Sequence, residues 1–327
     1  MLRHHCPCAA CVDPSTKQTF IDMADIPDHI RPRRIDVASD TLRITWEDGH
    51  DTCYNGTWLK ANAYDGYSRE EVKKDYGSIA HESEMLLWNK DIIAANPPPE
   101  FNYKELQEND TFVSESLDGL LRYGFIFVNE TPTDEESIAN VCKRIVVTLS
   151  KKRRRSSICL QAMHCSYHDG TGGMSLVVDG FMAAKALFKE EPEAFQVLTS
   201  TQVPFEYNSK YHRIRSHGPL LELDPLTKEL KNLRYDLSRI GPMVNMDLTY
   251  EEMEKFYQAV RLFGSIVRRP ENELWHKLIP GKVIVIDNRR TLHGRSAVTG
   301  SRKLMGCFAS VDGYLGSWKA KKTNRRA

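Results

Sequence analysis

The spacing of hydrophobic and polar positions changes several times along the chain, and each change predicts an element. Arg34-Ile-Asp-Val37 and Leu42-Arg-Ile-Thr-Trp-Glu-Asp-Gly-His50 alternate apolar with polar residues, as short half-buried strands joined by turns do. Residues 1–65 therefore read as a small β-rich domain. A charged stretch from Ser68 to Ser83 and the run Asn96-Pro-Pro-Pro99 support neither period, so 66–102 reads as a linker and 103–327 as a larger domain. Within the larger domain, Leu117 to Tyr123 predicts a helix end and Gly124-Phe-Ile-Phe-Val128 a buried strand. Asp134 to Leu149 predicts a helix whose Asp134, Glu135 and Glu136 suit the positive end of its dipole. The pattern is interrupted near 150–158 by Lys151-Lys-Arg-Arg-Arg155-Ser-Ser157. Beyond it, Ile158 to Met163 and Met174 to Val178 predict strands around Asp169-Gly-Thr-Gly-Gly173. Phe181 to Phe188 and Glu251 to Val267 predict helices, and Gly281 to Asp287 and Lys303 to Ser310 further strands. Several strands with few helices and no βαβ alternation predict a mainly β protein with flanking helices, built on a jelly-roll core.

Composition narrows the partners. Lys and Arg total 45 against 44 Asp and Glu, which gives no electrostatic reason to expect nucleic acid or a membrane as a partner and leaves a small-molecule substrate as the default. The five consecutive cations at 151–155 read as a solvated surface run or a weak nuclear signal. No window approaches the roughly 18 apolar residues of a membrane span. The first fifteen residues lack the charged-then-apolar order of a secretory signal, so a cytoplasmic location is expected.

Eight cysteines are too few for a disulfide scaffold in 327 residues, and three of them cluster. Cys6-Pro-Cys8-Ala-Ala-Cys11 lets a tight loop wrap one tetrahedral ion, and the fourth ligand must come from elsewhere. His50, projected by the turn-forming Asp48-Gly49, is the leading choice for a closed Cys3His zinc site that stabilises the small domain; His4, His5 and Cys53 are alternatives. Three free buried cysteines and a surface histidine form the competing reading.

A second group lies near the C-terminus. Asp287-Asn-Arg-Arg-Thr-Leu-His293-Gly-Arg295 follows a buried strand, and Arg302 heads the next one. On a β core the two can converge, His293 as a metal ligand and Arg302 as a fork for a carboxylate. A lone histidine beside glycine also reads as a structural turn residue.

Longer runs carry a resemblance. Arg268-Arg-Pro-Glu-Asn-Glu-Leu-Trp275 followed by Pro280 through Arg295 resembles the C-terminal signature of the family of trimethyllysine and γ-butyrobetaine dioxygenases, the first of these more closely. Cys6 through Cys11 with Trp46-Glu-Asp-Gly-His50 resembles that family's N-terminal zinc domain, and His164-Cys165 through Phe181 its central region. The resemblance implies a double-stranded β-helix in which His293 is the distal iron ligand and Arg302 binds the distal carboxylate of 2-oxoglutarate. It also places Ser175 at a hydroxyl position that contacts the co-substrate. The implied reaction is hydroxylation of N6,N6,N6-trimethyl-lysine at C3, coupled to decarboxylation of 2-oxoglutarate to succinate, with Fe(II) as cofactor and L-ascorbate keeping it reduced. A mitochondrial location and a homodimer are possible on the same basis.

Two departures stand against it. A facial iron triad needs a His-x-Asp or His-x-Glu beside its distal histidine, and none of the eleven histidines has an acidic residue two positions on. In the family that motif, with most of the aromatic residues for the trimethylammonium group, falls where Lys151 to Ser157 stands. His168-Asp169 is adjacent, so on a strand its side chains point to opposite faces. The second departure is Arg234-Tyr-Asp-Leu-Ser-Arg239, where the family carries consecutive asparagines near its substrate. The chain is therefore expected to keep the zinc domain and the co-substrate arginine but to hold iron poorly; γ-butyrobetaine hydroxylation and a non-catalytic zinc-binding subunit are the alternatives.

Overall fold

The alternation in the first strands is realised as an antiparallel meander. The computed structural model describes residues 2–3, 5–12, 20, 26–27, 29–61, 84–146, 158–208, 213–240, 248–310 and 313–318. Contacts divide the chain into two units, Met1–Gly77 and Ser78–Ala327. In the smaller unit, β1 (Pro32–Ala38), β2 (Thr41–Trp46) and β3 (Asp51–Asn55) pair in that order and lead into the short α1 (Gly56–Ala61). Ile44, Trp46, Thr52 and Tyr54 are its buried face, and the Trp46 indole donates to Thr52 Oγ1 at 2.9 Å.

Part of the stretch expected to be a linker belongs to the larger unit. Asn89 caps α2 (Lys90–Ala95), accepting from Ile92 N–H, and after Pro97–Pro99 the chain enters β4 (Glu100–Asn102), parallel to β5 (Phe125–Asn129). As an edge strand, β4 needs hydrogen bonds on one side only, which is why prolines can precede it directly. Next come α3 (Tyr103–Glu108) and α4 (Asp110–Tyr123), ended by Gly124 in the left-handed region at φ +80°; a Cβ there would lie 2.4 Å from Thr291 Oγ1. Asp134 caps α5 (Glu135–Ile145) by accepting from Ser137 N–H, as its acidic start predicts; residues 147–157, which hold the end of the expected helix and the cation run, lie outside the described residues.

The remainder runs β6 (Ile158–His168), β7 (Ser175–Asp179), α6 (Gly180–Glu190), α7 (Pro192–Ser200), β8 (Val203–Asn208), β9 (Arg213–Gly218), β10 (Leu221–Leu223), β11 (Leu230–Leu233), α8 (Tyr250–Val267), β12 (Leu274–His276), β13 (Val283–Asp287), β14 (Thr291–Arg295) and β15 (Arg302–Ser310). A five-stranded sheet in the order β15-β6-β13-β5-β4 and a three-stranded sheet in the order β12-β7-β14 form the core. Every residue of β13 is buried, so it reads as an uninterrupted apolar run. Val283 and Val285 pack with Leu117, Leu120, Val141 and Ile145 from α4 and α5. Ile284 and Ile286 face the other way, into a cluster with Phe125, Phe127, Cys165 and Val177. This second cluster joins the two sheets, giving the expected jelly-roll core with helices outside. A third cluster binds α6, α7 and α8 through Phe181, Leu187, Leu198, Phe256 and Phe263.

Strand β6 is longer than its apolar pattern predicts. Ser166, Tyr167 and His168 continue it because β15 supplies backbone partners as far as Arg302 opposite His168, with a register shift between Lys303 and Leu304.

Candidate functional site

In the smaller unit, Gly49 at φ +82° closes a tight turn in which its N–H donates to Trp46 O, and Asp48 Oδ1 accepts from the His50 N–H at 2.9 Å. The turn delivers His50 Nε2 to the cysteine loop, 3.2 Å from Cys6 Sγ, 3.5 Å from Cys8 Sγ and 3.4 Å from Cys11 Sγ. A tetrahedral zinc with Zn–S of about 2.3 Å and Zn–N of about 2.0 Å has S···N edges of about 3.5 Å. All four donor atoms lie within 4.8 Å of one another, so this donor set fits a closed structural zinc ion. Of the alternatives, Cys53 is exposed and outside the group, His5 turns its ring toward Trp58, and His4 lies outside the described residues.

In the larger unit, Ser175 opens β7 with His276 of β12 on one side and Arg295 of β14 on the other. His293 stands opposite Val177, two residues along. Residues directly opposite in an antiparallel pair share a face, so Leu274, His276, Ser175, Val177 and His293 all project from the face that carries the interior cluster. His293 keeps an exposed surface, yet protein atoms crowd its ring, and that desolvation draws its pKa below the usual histidine value against the opposing effect of Asp236.

Arg302 enters from the larger sheet. Its stem lies along Gly173, where a Cβ would come 3.3 Å from Arg302 Cδ, which explains a glycine at φ +62°. All three guanidinium nitrogens are buried without a hydrogen-bond partner. A buried cation whose donors are all unmet fits an anionic ligand with paired acceptor oxygens, such as a carboxylate.

Around His293 the described residues supply no complete donor set. Among the described residues, the N-terminal cluster is the only group of three or more His, Cys, Asp or Glu donors within metal-binding reach of one another, so His293 has no pair of partners of that kind. Asp169 accepts from the Tyr167 hydroxyl and the Ser301 N–H, each at 2.7 Å, which ties its carboxylate to the loop before β15. His164 is fully buried, and that burial draws its pKa below the usual histidine value against the opposing effect of Asp134 at the start of α5. The described residues do not form a facial iron triad around His293.

Two features escaped the sequence reading. His276 sits in a three-residue strand too short to show a period, with a T-shaped contact to Phe127 at 5.0 Å. Arg290, between β13 and β14, ion-pairs with buried Asp179 across the core.

Residues 1–60 match a model described as gamma-butyrobetaine hydroxylase-like, N-terminal, and residues 155–308 match the taurine catabolism dioxygenase TauD, TfdA family. The mitochondrial trimethyllysine dioxygenase of Gallus gallus is 34% identical over 96% of this chain and 80% of its own length. Gamma-butyrobetaine dioxygenase of Pseudomonas sp. (strain AK-1) is 29% identical over 96% of this chain and 87% of its own. The Gallus alignment runs over 348 positions, more than 96% of 327 residues can supply, so parts of that relative have no counterpart here. Among solved structures, AAD-2 in complex with Mn(II) and N-oxalylglycine matches at 14% identity and a TM-score of 0.49, covering 63% of this chain and 90% of that one.

Proposed function

The chain belongs to the trimethyllysine dioxygenase family of 2-oxoglutarate-dependent oxygenases, and from that premise we propose that it retains the family's zinc unit and co-substrate anchor but not its iron-holding pair. By family, the activity is Fe(II)- and 2-oxoglutarate-dependent hydroxylation. The substrate we assign is N6,N6,N6-trimethyl-L-lysine, hydroxylated at C3, because the animal trimethyllysine dioxygenases, at 32% and 34% identity for those of Rattus norvegicus and Gallus gallus, stand above the γ-butyrobetaine enzyme at 29%. Hydroxylation of γ-butyrobetaine is the second reading, and the relative from Pseudomonas supports it.

The observation that carries the proposal is the buried, unpartnered guanidinium of Arg302 beside Gly173. In this reading Arg302 holds the distal carboxylate of 2-oxoglutarate, with the Ser175 hydroxyl adding a contact from β7. Cys6, Cys8, Cys11 and His50 hold zinc, and His293 is the single remaining donor of the three that iron requires. Ascorbate would act only where iron is retained. We take the compartment to be mitochondrial, as in the names of the animal relatives.

Elemental analysis of the purified chain after anaerobic incubation with Fe(II) and 2-oxoglutarate, alongside succinate release with trimethyl-lysine, tests this. Zinc near one per chain, no retained iron and no succinate is the expected result. Stoichiometric iron with substrate-dependent succinate would show that another residue completes the triad, and would overturn the proposal.

A further inference from the structure

Five nitrogens of two side chains, Arg302 Nε, Nη1 and Nη2 and His276 Nδ1 and Nε2, are buried without a hydrogen-bond partner. The strands bring them near one another: His276 pairs with Ser175, two residues from the Gly173 along which the Arg302 stem lies. His276 shares its face with its strand partner Ser175 and with Leu274, which packs against the cluster of Phe125, Phe127, Cys165 and Val177. The edge contact with Phe127, at 5.0 Å and 72° between ring planes, holds the imidazole against that cluster. The neighbouring cations are accounted for unequally. Lys282 Nζ donates to Glu100 Oε1 at 2.8 Å and lies 4.3 Å from the centre of the Phe127 ring. Arg302 forms no salt bridge among the described residues.

A histidine placed only for packing would be expected to rest at least one ring nitrogen on a carbonyl, because leaving a buried polar group unmet costs about 1–3 kcal/mol. His276 meets neither. Burial, reinforced by Lys282 and Arg302, draws its pKa down to about 4, so at neutral pH it is an uncharged ring with one N–H to donate. Arg302, whose charge acts on that ring, is a cation without an anion partner among the described residues. An acidic ligand with at least two acceptor oxygens satisfies both.

We propose that His276 is a second co-substrate-binding residue, donating its N–H to the distal carboxylate that Arg302 grips. This rests on the 2-oxoglutarate reading of the Arg302 site and adds to it a specificity element: the pair selects an oxo acid that ends in a second carboxylate over one that does not.

The test uses the zinc-loaded full chain, without iron or turnover, and two probes: 2-oxoglutarate, and 2-oxobutyrate, which shares the oxo-acid head but lacks the distal carboxylate. Binding is followed by calorimetry and by the imidazole resonances of 15N-histidine-labelled protein. Loss of a hydrogen bond to a charged group predicts that His276→Val weakens 2-oxoglutarate binding by about tenfold or more, with 2-oxobutyrate unaffected. His276→Gln, which keeps an N–H donor, should recover most of the affinity, and one labelled ring should shift on adding 2-oxoglutarate. If His276→Val binds 2-oxoglutarate as tightly as the parent while Arg302→Leu abolishes binding, His276 is a packing residue and the inference is wrong, although the site stands. If the parent chain shows no saturable binding of 2-oxoglutarate, the site reading itself fails, and the inference with it.

Discussion

Arg290 donates to both carboxylate oxygens of Asp179, at 3.1 and 2.7 Å, and to the carbonyls of Leu121 and Arg122, with the Leu86 carbonyl a further acceptor. Asp179 in turn accepts from the Trp88, Phe181 and Met182 N–H groups, capping α6. Both side chains are almost wholly inaccessible, at 3% and 0%. Removing one partner strands a buried charge, so Arg290→Met should destabilise the larger unit by about 3–5 kcal/mol in denaturant titration. His276 gives the residue scale a pH signature. Its folded pKa, near 4 through burial and the Lys282 and Arg302 cations, lies below the 6.5 of an unfolded histidine, so the unfolded chain binds the proton first as pH falls. The folded state therefore loses stability on acidification from about 6.5 to about 4, by up to about 3 kcal/mol from this residue. His276→Val should flatten that part of the curve when unfolding free energy is measured from pH 7 to 4.

At the scale of elements, caps end or start helices where the sequence marks them. Thr249 accepts from the Glu252 N–H while the Glu252 carboxylate accepts from the Thr249 N–H, a reciprocal cap that starts α8 and aligns Phe256, Ala259, Phe263 and Ile266 with the helical cluster. Thr249→Ala should cost about 1 kcal/mol in thermal or denaturant unfolding, with no change in zinc content. Strands behave differently, because their neighbours decide them. The apolar period of β6 ends before Ser166, yet the strand runs on to His168 because β15 pairs with it throughout. Glu100 to Asn102, a stretch of the expected linker, becomes an edge strand because β5 offers it a free side.

At the scale of the whole molecule, the chain consists of two units with different sources of stability. The larger holds three apolar clusters, whereas the smaller buries a short list of side chains around its three strands and gathers Cys6, Cys8, Cys11 and His50 into a group that could hold a metal ion. Binding energy at a structural zinc site is folding energy. A zinc chelator should therefore erase the dispersed amide signals of residues 29–61 and leave the unfolding transition of the larger unit in place; a smaller unit that stays folded without zinc would contradict the closed Cys3His site. The sequence by itself picked out Cys6, Cys8 and Cys11 with His50 as the leading fourth donor, the buried strand at Val283–Asp287, and the absence of any His-x-Asp or His-x-Glu beside His293. These follow from local spacing, from a run that is apolar at every position, and from a motif whose residues must be near neighbours in the chain. Only the tertiary structure decided that Arg302 and His276 are left with buried, unmet nitrogens and that Arg290 reaches Asp179. Those facts depend on which strands pair across long stretches of chain, and on what each buried polar atom finds when they do, and no local period records that.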